Sequence, residues 1–196
     1  EKYADFVINY PILFLKKDGK YLSGKNYKFS DYMVGNINEI DNSLPNNDDL
    51  VLHLSTIFTE NRLKQYIELR SMDTCGWGCI CAGPAFFTGL LYGNLDEALE
   101  FISKWEKKDL LNAYKDAPKK GLNTNLMGKD MIYWISNLLK IAEEGLEKRD
   151  FIGKSGSNEA KYLEHLNKII NNKETVASHV INKFSKYQNL EDLYDK

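Results

Sequence analysis

Past residue 94 the apolar residues of this 196-residue chain recur only at helical spacing. That switch of period constrains the fold more than any other feature. Leu95, Ala98, Leu99 and Ile102 recur this way, as do Met131, Ile135, Leu138, Ala142 and Leu146. Tyr162, Leu163, Leu166 and Ile170 continue the pattern, then Val176, Val180, Phe184 and Tyr187. Steps of three and four residues stack side chains on one helix face. Ahead of residue 94 the runs are shorter and mixed. Pro11 to Lys16 reads as a strand, Asp18-Gly19 as a tight turn and Tyr21-Leu22 as its return. Ser30 is the expected cap of a short helix ending near Gly35, and Asp48 or Asp49 of a helix running to Phe58. Asn36 to Asp49 reads as a loop, and Pro84 as the first residue of a helix to Tyr92. The expected class is α+β, with an α+β domain over residues 1–94 and a helical region over 95–196.

Composition narrows the function classes. With 43% hydrophobic residues the chain can bury a core. A net charge of −2 exerts no pull on nucleic acid or an anionic membrane, so neither is an expected partner. The longest apolar stretch, Ala82 to Tyr92, is interrupted by Gly83, Pro84, Thr88 and Gly89, and falls short of the roughly 20 residues of a spanning helix. Cys75, Cys79 and Cys81 have the wrong spacing for paired zinc knuckles or a common iron–sulfur motif. They read as packed, reduced thiols of a cytoplasmic protein. Gly153-Lys-Ser155 lacks the upstream glycine of a phosphate-binding loop and reads as a linker whose last residue, Ser157, caps the next helix.

The segment Arg62 to Ser71 alternates as a strand does. Lys64, Tyr66, Glu68 and Arg70 fall on one face; Leu63, Gln65, Ile67 and Leu69 fall on the other. Two readings stand side by side. One is a solvated sheet face with a weak Glu68–Arg70 ion pair, the commoner arrangement by residue type. The other is a polar face lining an active site, its carboxylate holding a divalent ion and its guanidinium bracing phosphate or carboxylate oxygens.

Tyr66-Ile-Glu-Leu-Arg-Ser-Met-Asp73 resembles the Glu-x-Arg strand of the γ-glutamylcysteine (glutamate–cysteine) ligases, part of the glutamine-synthetase-like superfamily. The run His53-Leu-Ser-Thr-Ile-Phe-Thr-Glu-Asn-Arg-Leu-Lys-Gln-Tyr-Ile-Glu-Leu-Arg70 is similar to the plant and proteobacterial branch. The similarity continues through Pro84 to Tyr92, and more loosely to Tyr194. The resemblance implies the C-terminal part of a glutamine-synthetase-like catalytic fold. It also implies ATP and Mg2+ as cofactors, glutamate and cysteine as substrates, and a reaction through γ-glutamyl phosphate. Glu68 would be the Mg2+ ligand and Arg70 the catalytic group on the transferred phosphoryl. Lys64 and Tyr66 are the candidates for nucleotide contact, or otherwise line the cavity. Arg62 shares the Glu68 side but stands at the strand entrance. His53 reads as a capping or core hydrogen-bonding residue rather than a catalytic one. Thr56 and Trp77 match family positions without an assignable contact. Gly76-Trp77-Gly78-Cys79 stands where many plant-like members have Pro-Trp-Arg-Arg, so roles of those basic residues do not carry over.

One carboxylate does not complete a Mg2+ site, which takes oxygens from several groups. The expectation is therefore a C-terminal fragment, inactive alone and partnered by the N-terminal part of the same enzyme. A carboxylate–amine ligase with another acceptor, or a helical interaction module without activity, are the alternatives.

Overall fold

Asp18 and Gly19 set the first fixed point of the chain. Both adopt positive φ, 50° and 74°, the backbone of a tight two-residue hairpin turn. They join β1 (Phe14–Lys17) to β2 (Lys20–Ser23), paired antiparallel with Leu15 opposite Leu22. The computed structural model describes residues 2–24, 26–73 and 75–184, and the chain divides into two compact units, residues 1–73 and 74–196.

In the first unit α1 (Lys2–Ile8) precedes the hairpin, and α2 (Phe29–Met33) and α3 (Asn47–Ser55) follow it. Its core gathers Ile12, Leu15, Phe29, Tyr32, Ile37 and Ile40. The cap of α2 is Lys28 rather than Ser30, and the chain leaves through Gly35 at positive φ, as expected. The cap of α3 is Asn46. Its side chain accepts the Asp49 amide while Asp49 accepts the Asn46 amide. Asp49 thus closes a reciprocal box, and it accepts the buried Tyr32 hydroxyl at 2.9 Å as well.

The expected single strand over Arg62 to Ser71 is instead a hairpin, β3 (Asn61–Leu63) against β4 (Ile67–Leu69). Lys64, Gln65 and Tyr66 form its turn, and the Lys64 amide donates to the Tyr66 carbonyl at 2.9 Å.

The second unit is built on α7 (Met131–Arg149). Before it come α4 (Ala82–Thr88) with a π turn over Gly89–Gly93, α5 (Leu95–Ile102) and α6 (Lys107–Lys120). After it come a 3-10 turn (Glu159–Leu163), α8 (Glu164–Asn172) and α9 (Val176–Phe184). Ala85, Leu90, Ala98, Leu139, Ala142, Leu146 and Leu163 form its main core. A smaller cluster surrounds Trp134, whose indole N–H donates to the Leu126 carbonyl at 2.8 Å. The region past 94 is not purely helical: β5 (Asn125–Leu126) and β6 (Lys129–Asp130) form a hairpin around Met127-Gly128. Asn158, not Ser157, caps the turn after the linker. Tyr187 and Tyr194 lie outside the described residues.

Cys75 and Cys79 are joined in a disulfide, which corrects the reading of reduced thiols. The 3-10 turn Trp77–Cys79 folds the intervening residues so that the two Cα atoms stand 6.0 Å apart, within bridging range. Cys81 is free and exposed.

Candidate active site

Register assembles the polar face. Arg62 on β3 stands directly opposite Glu68 on β4, and paired residues of an antiparallel ladder project to the same side. Arg70, two residues beyond Glu68, continues that side, and its amide donates to the Glu60 carbonyl at 2.8 Å. Arg62 approaches Glu68 Oε2 with both Nε (2.9 Å) and Nη2 (2.6 Å). Its remaining nitrogen, Nη1, donates to the Ser55 carbonyl at the end of α3. Arg70 Nη1 donates to the other oxygen, Glu68 Oε1, at 2.9 Å, and its guanidinium lies 5.3 Å from the centre of the Phe58 ring. Hydrogen bonding from Arg62, and secondarily from Arg70, holds the Glu68 carboxyl below the usual carboxylate range against the opposing effect of desolvation. The cluster is an ionised carboxylate between two guanidiniums, with one positive charge in excess.

Of the residues predicted for this site, Glu68 and Arg70 are brought together and Lys64 and Tyr66 are not. The latter two sit in the turn, where the Lys64 ammonium lies 5.9 Å from the Tyr66 ring centre and Tyr66 is exposed. They leave the strand face because the chain reverses there. Arg62, left aside in the sequence as a strand-entrance residue, is buried and is the stronger partner of Glu68. Its even spacing from Glu68 was the available signal. The apolar residues Leu63 and Ile67 on the opposite face are exposed rather than packed. A recess of about 530 Å³ lined by Lys16, Asp18, Asn46, Asp48 and Asp49, among others, shares no residue with this cluster. Among the described residues no group of three or more His, Cys, Asp or Glu is placed to hold a metal ion.

His53 is a core residue. It stacks on Phe29 at 4.6 Å, and its Nε2 lies 2.9 Å from the Val7 carbonyl. A carbonyl only accepts, so Nε2 carries the proton and Nδ1 is left buried without a partner. Burial pushes the His53 pKa below its ordinary 6.5, outweighing the Val7 bond. A histidine that binds its proton less readily when folded adds stability above the unfolded pKa, and loses it as pH falls through 6.5 toward the lower folded value. In urea unfolding, the stability lead of the native chain over His53→Gln therefore shrinks between pH 7.5 and pH 5.5. Thr56 sits beside it, its hydroxyl donating to the His53 carbonyl at 2.9 Å. Trp77 is fully in solvent.

A profile of Glutamate-cysteine ligase family 2 (GCS2) matches residues 1–194. The chain belongs to that family. Among glutamate–cysteine ligases it is 36% identical over 155 residues to the chloroplastic enzyme of Solanum lycopersicum, covering 77% of this chain and 29% of that protein. It is 31% identical over 186 residues to the chloroplastic glutamate–cysteine ligase A of Oryza sativa subsp. indica, covering 94% and 37%. The chloroplastic glutamate–cysteine ligase of Nicotiana tabacum is 31% identical over 183 residues, covering 92% and 34%. The chain spans about a third of the length of these ligases. All three are named chloroplastic, and that overturns the expectation of a cytoplasmic protein.

Proposed function

We propose that this chain is the C-terminal part of an ATP-dependent glutamate–cysteine ligase with a glutamine-synthetase-like catalytic fold. The end of the catalytic domain lies in the first unit, residues 1–73, and the mostly helical region begins with the second unit at 74, ahead of the expected boundary at 94. The observation that carries the reading is the Arg62–Glu68–Arg70 cluster within the family match. The reaction joins the γ-carboxylate of glutamate to the amine of cysteine by way of γ-glutamyl phosphate, releasing ADP and phosphate. Negative charge spreads over the phosphoryl oxygens as they transfer, and a fixed guanidinium in a partly desolvated site stabilises it. Arg70 fills that role: its planar fork matches phosphate geometry, and the bond to Glu68 holds it beside the Phe58 ring. Lys64 and Tyr66, at the tip of the hairpin, are placed to meet the nucleotide only if it reaches over the turn.

Mg2+ takes about six oxygen ligands in octahedral array. The described residues offer one carboxylate here, with both oxygens already engaged by guanidiniums, so by themselves they do not fit the ion. Glu68 is proposed as one ligand of a set whose other carboxylates, together with the remaining substrate groups, come from the N-terminal part of the enzyme. The uncovered apolar face at Leu63 and Ile67 supports this, since a lone two-stranded hairpin is marginal in water.

The test is ADP release by the full-length protein given glutamate, ATP and Mg2+. Release depends on cysteine and falls sharply with other amines; preference for a non-thiol amine rejects the cysteine acceptor. The 196-residue chain alone is expected to release no ADP, and turnover by it would remove the fragment reading.

A further inference from the structure

We propose that Arg62 is a positioning residue of the ligase reaction, fixing the Glu68 carboxylate by one edge so that its other oxygen and Arg70 are presented together to the reacting groups. The inference rests on the ligase reading above and extends it to a residue that touches neither substrate nor nucleotide.

The geometry separates the two arginines. Arg62 is clamped at both ends. Nε and Nη2 both meet Glu68 Oε2, while Nη1 meets the Ser55 carbonyl, the last residue of α3. A helix C-terminus carries unpaired carbonyls and partial negative charge, so a cation bound there is held by the helix as well as by the carboxylate. The β3–β4 register brings the Cα atoms of Arg62 and Glu68 directly opposite each other, so backbone pairing and side-chain pairing fix the same geometry. The Arg62 side chain is 8% exposed, which leaves it no face for a ligand. Arg70 is 31% exposed and makes a single hydrogen bond to Glu68, through Oε1.

The consequence is a division of labour on one carboxylate. Oε2 is spent on the scaffold, and Oε1 with Arg70 forms the reactive edge. Without Arg62 the Glu68 carboxylate is free to rotate and to pair with Arg70 alone, withdrawing the oxygen and the guanidinium together. Lysine does not replace Arg62, because one ammonium cannot supply two bonds to Glu68 Oε2 and one to the Ser55 carbonyl in fixed directions. Residues that orient a functional group through hydrogen bonds in this way are worth about 10–100-fold in activity.

The experiment is a double-mutant cycle in the full-length ligase, using Arg62→Gln, Arg62→Lys, Glu68→Gln and Arg62→Gln/Glu68→Gln. Steady-state ADP release gives kcat and KM. Near-ultraviolet circular dichroism checks the fold. Expected are a loss of about 10–100-fold in kcat for Arg62→Gln, no recovery in Arg62→Lys, and a double variant no worse than Glu68→Gln, because the first residue acts only through the second. The loss falls on kcat rather than on KM, as for a residue that acts on the reacting groups and not on uniform binding. Additive losses in kcat, wild-type turnover in the Arg62 variants, or a loss confined to KM overturn the proposal. Should Arg62→Gln fail to fold, Arg62→Lys with its own double variant runs the same cycle. Normal turnover in Glu68→Gln is a separate outcome: it rejects the ligase reading of this cluster, and the positioning role with it.

Discussion

With Arg70 in its proposed role, Arg70→Gln in the full-length protein is expected to lower turnover by about 10²–10³-fold, the usual consequence of removing one fixed group that stabilises transition-state charge. Three local facts make the effect separable from unfolding. The β3–β4 pairing is carried by backbone hydrogen bonds, including the Arg70 amide to the Glu60 carbonyl, and glutamine keeps them. The Arg70–Glu68 pair is partly in solvent, so it adds little to stability. Glu68 keeps the two Arg62 hydrogen bonds to its Oε2, so the carboxylate stays ionised and held at that oxygen. Arg70→Lys retains the charge and loses the planar guanidinium over the Phe58 ring, and falls between the two. ADP release at saturating glutamate, cysteine and ATP reads the effect, with circular dichroism confirming an unaltered fold. A turnover within threefold of the native enzyme would remove Arg70 from the chemistry.

The alternation that revealed Glu68 and Arg70 also concealed the hairpin. In this register Asn61 faces Leu69, Arg62 faces Glu68 and Leu63 faces Ile67, so even positions pair with even positions and the phase of the pattern survives the reversal. Lys64-Gln65-Tyr66 carries no Gly, Pro, Asn or Asp to announce a turn. A strand that continues and a strand that doubles back therefore read the same, and only the fold removes Lys64 and Tyr66 from the face and adds Arg62 to it. The α3 cap shows a related ambiguity. Asp48 and Asp49 both suit a first turn, yet Asn46 takes the cap and Asp49 answers it from the third helical position. The β5–β6 strands, two residues each, are too short for any period to register. His53, by contrast, read as a capping or core hydrogen-bonding residue, and it takes the core bond, from Nε2 to the Val7 carbonyl. The family match came from residue identities across 53–92, a kind of information that periodicity does not hold.

Gly89→Val costs the second unit about 3 kcal/mol, at the upper end of what overpacking a tight site produces. The ground is a backbone-to-backbone crossing. A Cβ on Gly89 would lie 2.1 Å from the Ala142 carbonyl oxygen, and one on Gly93 2.1 Å from that of Gly145. From the α7 side, a Cβ on Gly145 would lie 2.2 Å from the Gly89 carbonyl oxygen. The π turn after α4 thus touches α7 with no side chain between them, at the centre of the core built on Leu90, Ala142 and Leu146. Side-chain repacking does not relieve a clash with a carbonyl. The helices must separate instead, and the buried contacts of Ala85, Leu139 and Leu163 loosen with them. The chain's three tryptophans, Trp77, Trp105 and Trp134, all lie in the 74–196 unit, so their fluorescence during urea unfolding reports on that unit alone. Gly78→Ala, where an added Cβ meets nothing within 4 Å, is the control and stays within about 0.5 kcal/mol of the native chain. If the two variants unfold at the same urea concentration, the crossing is not where the second unit is held together.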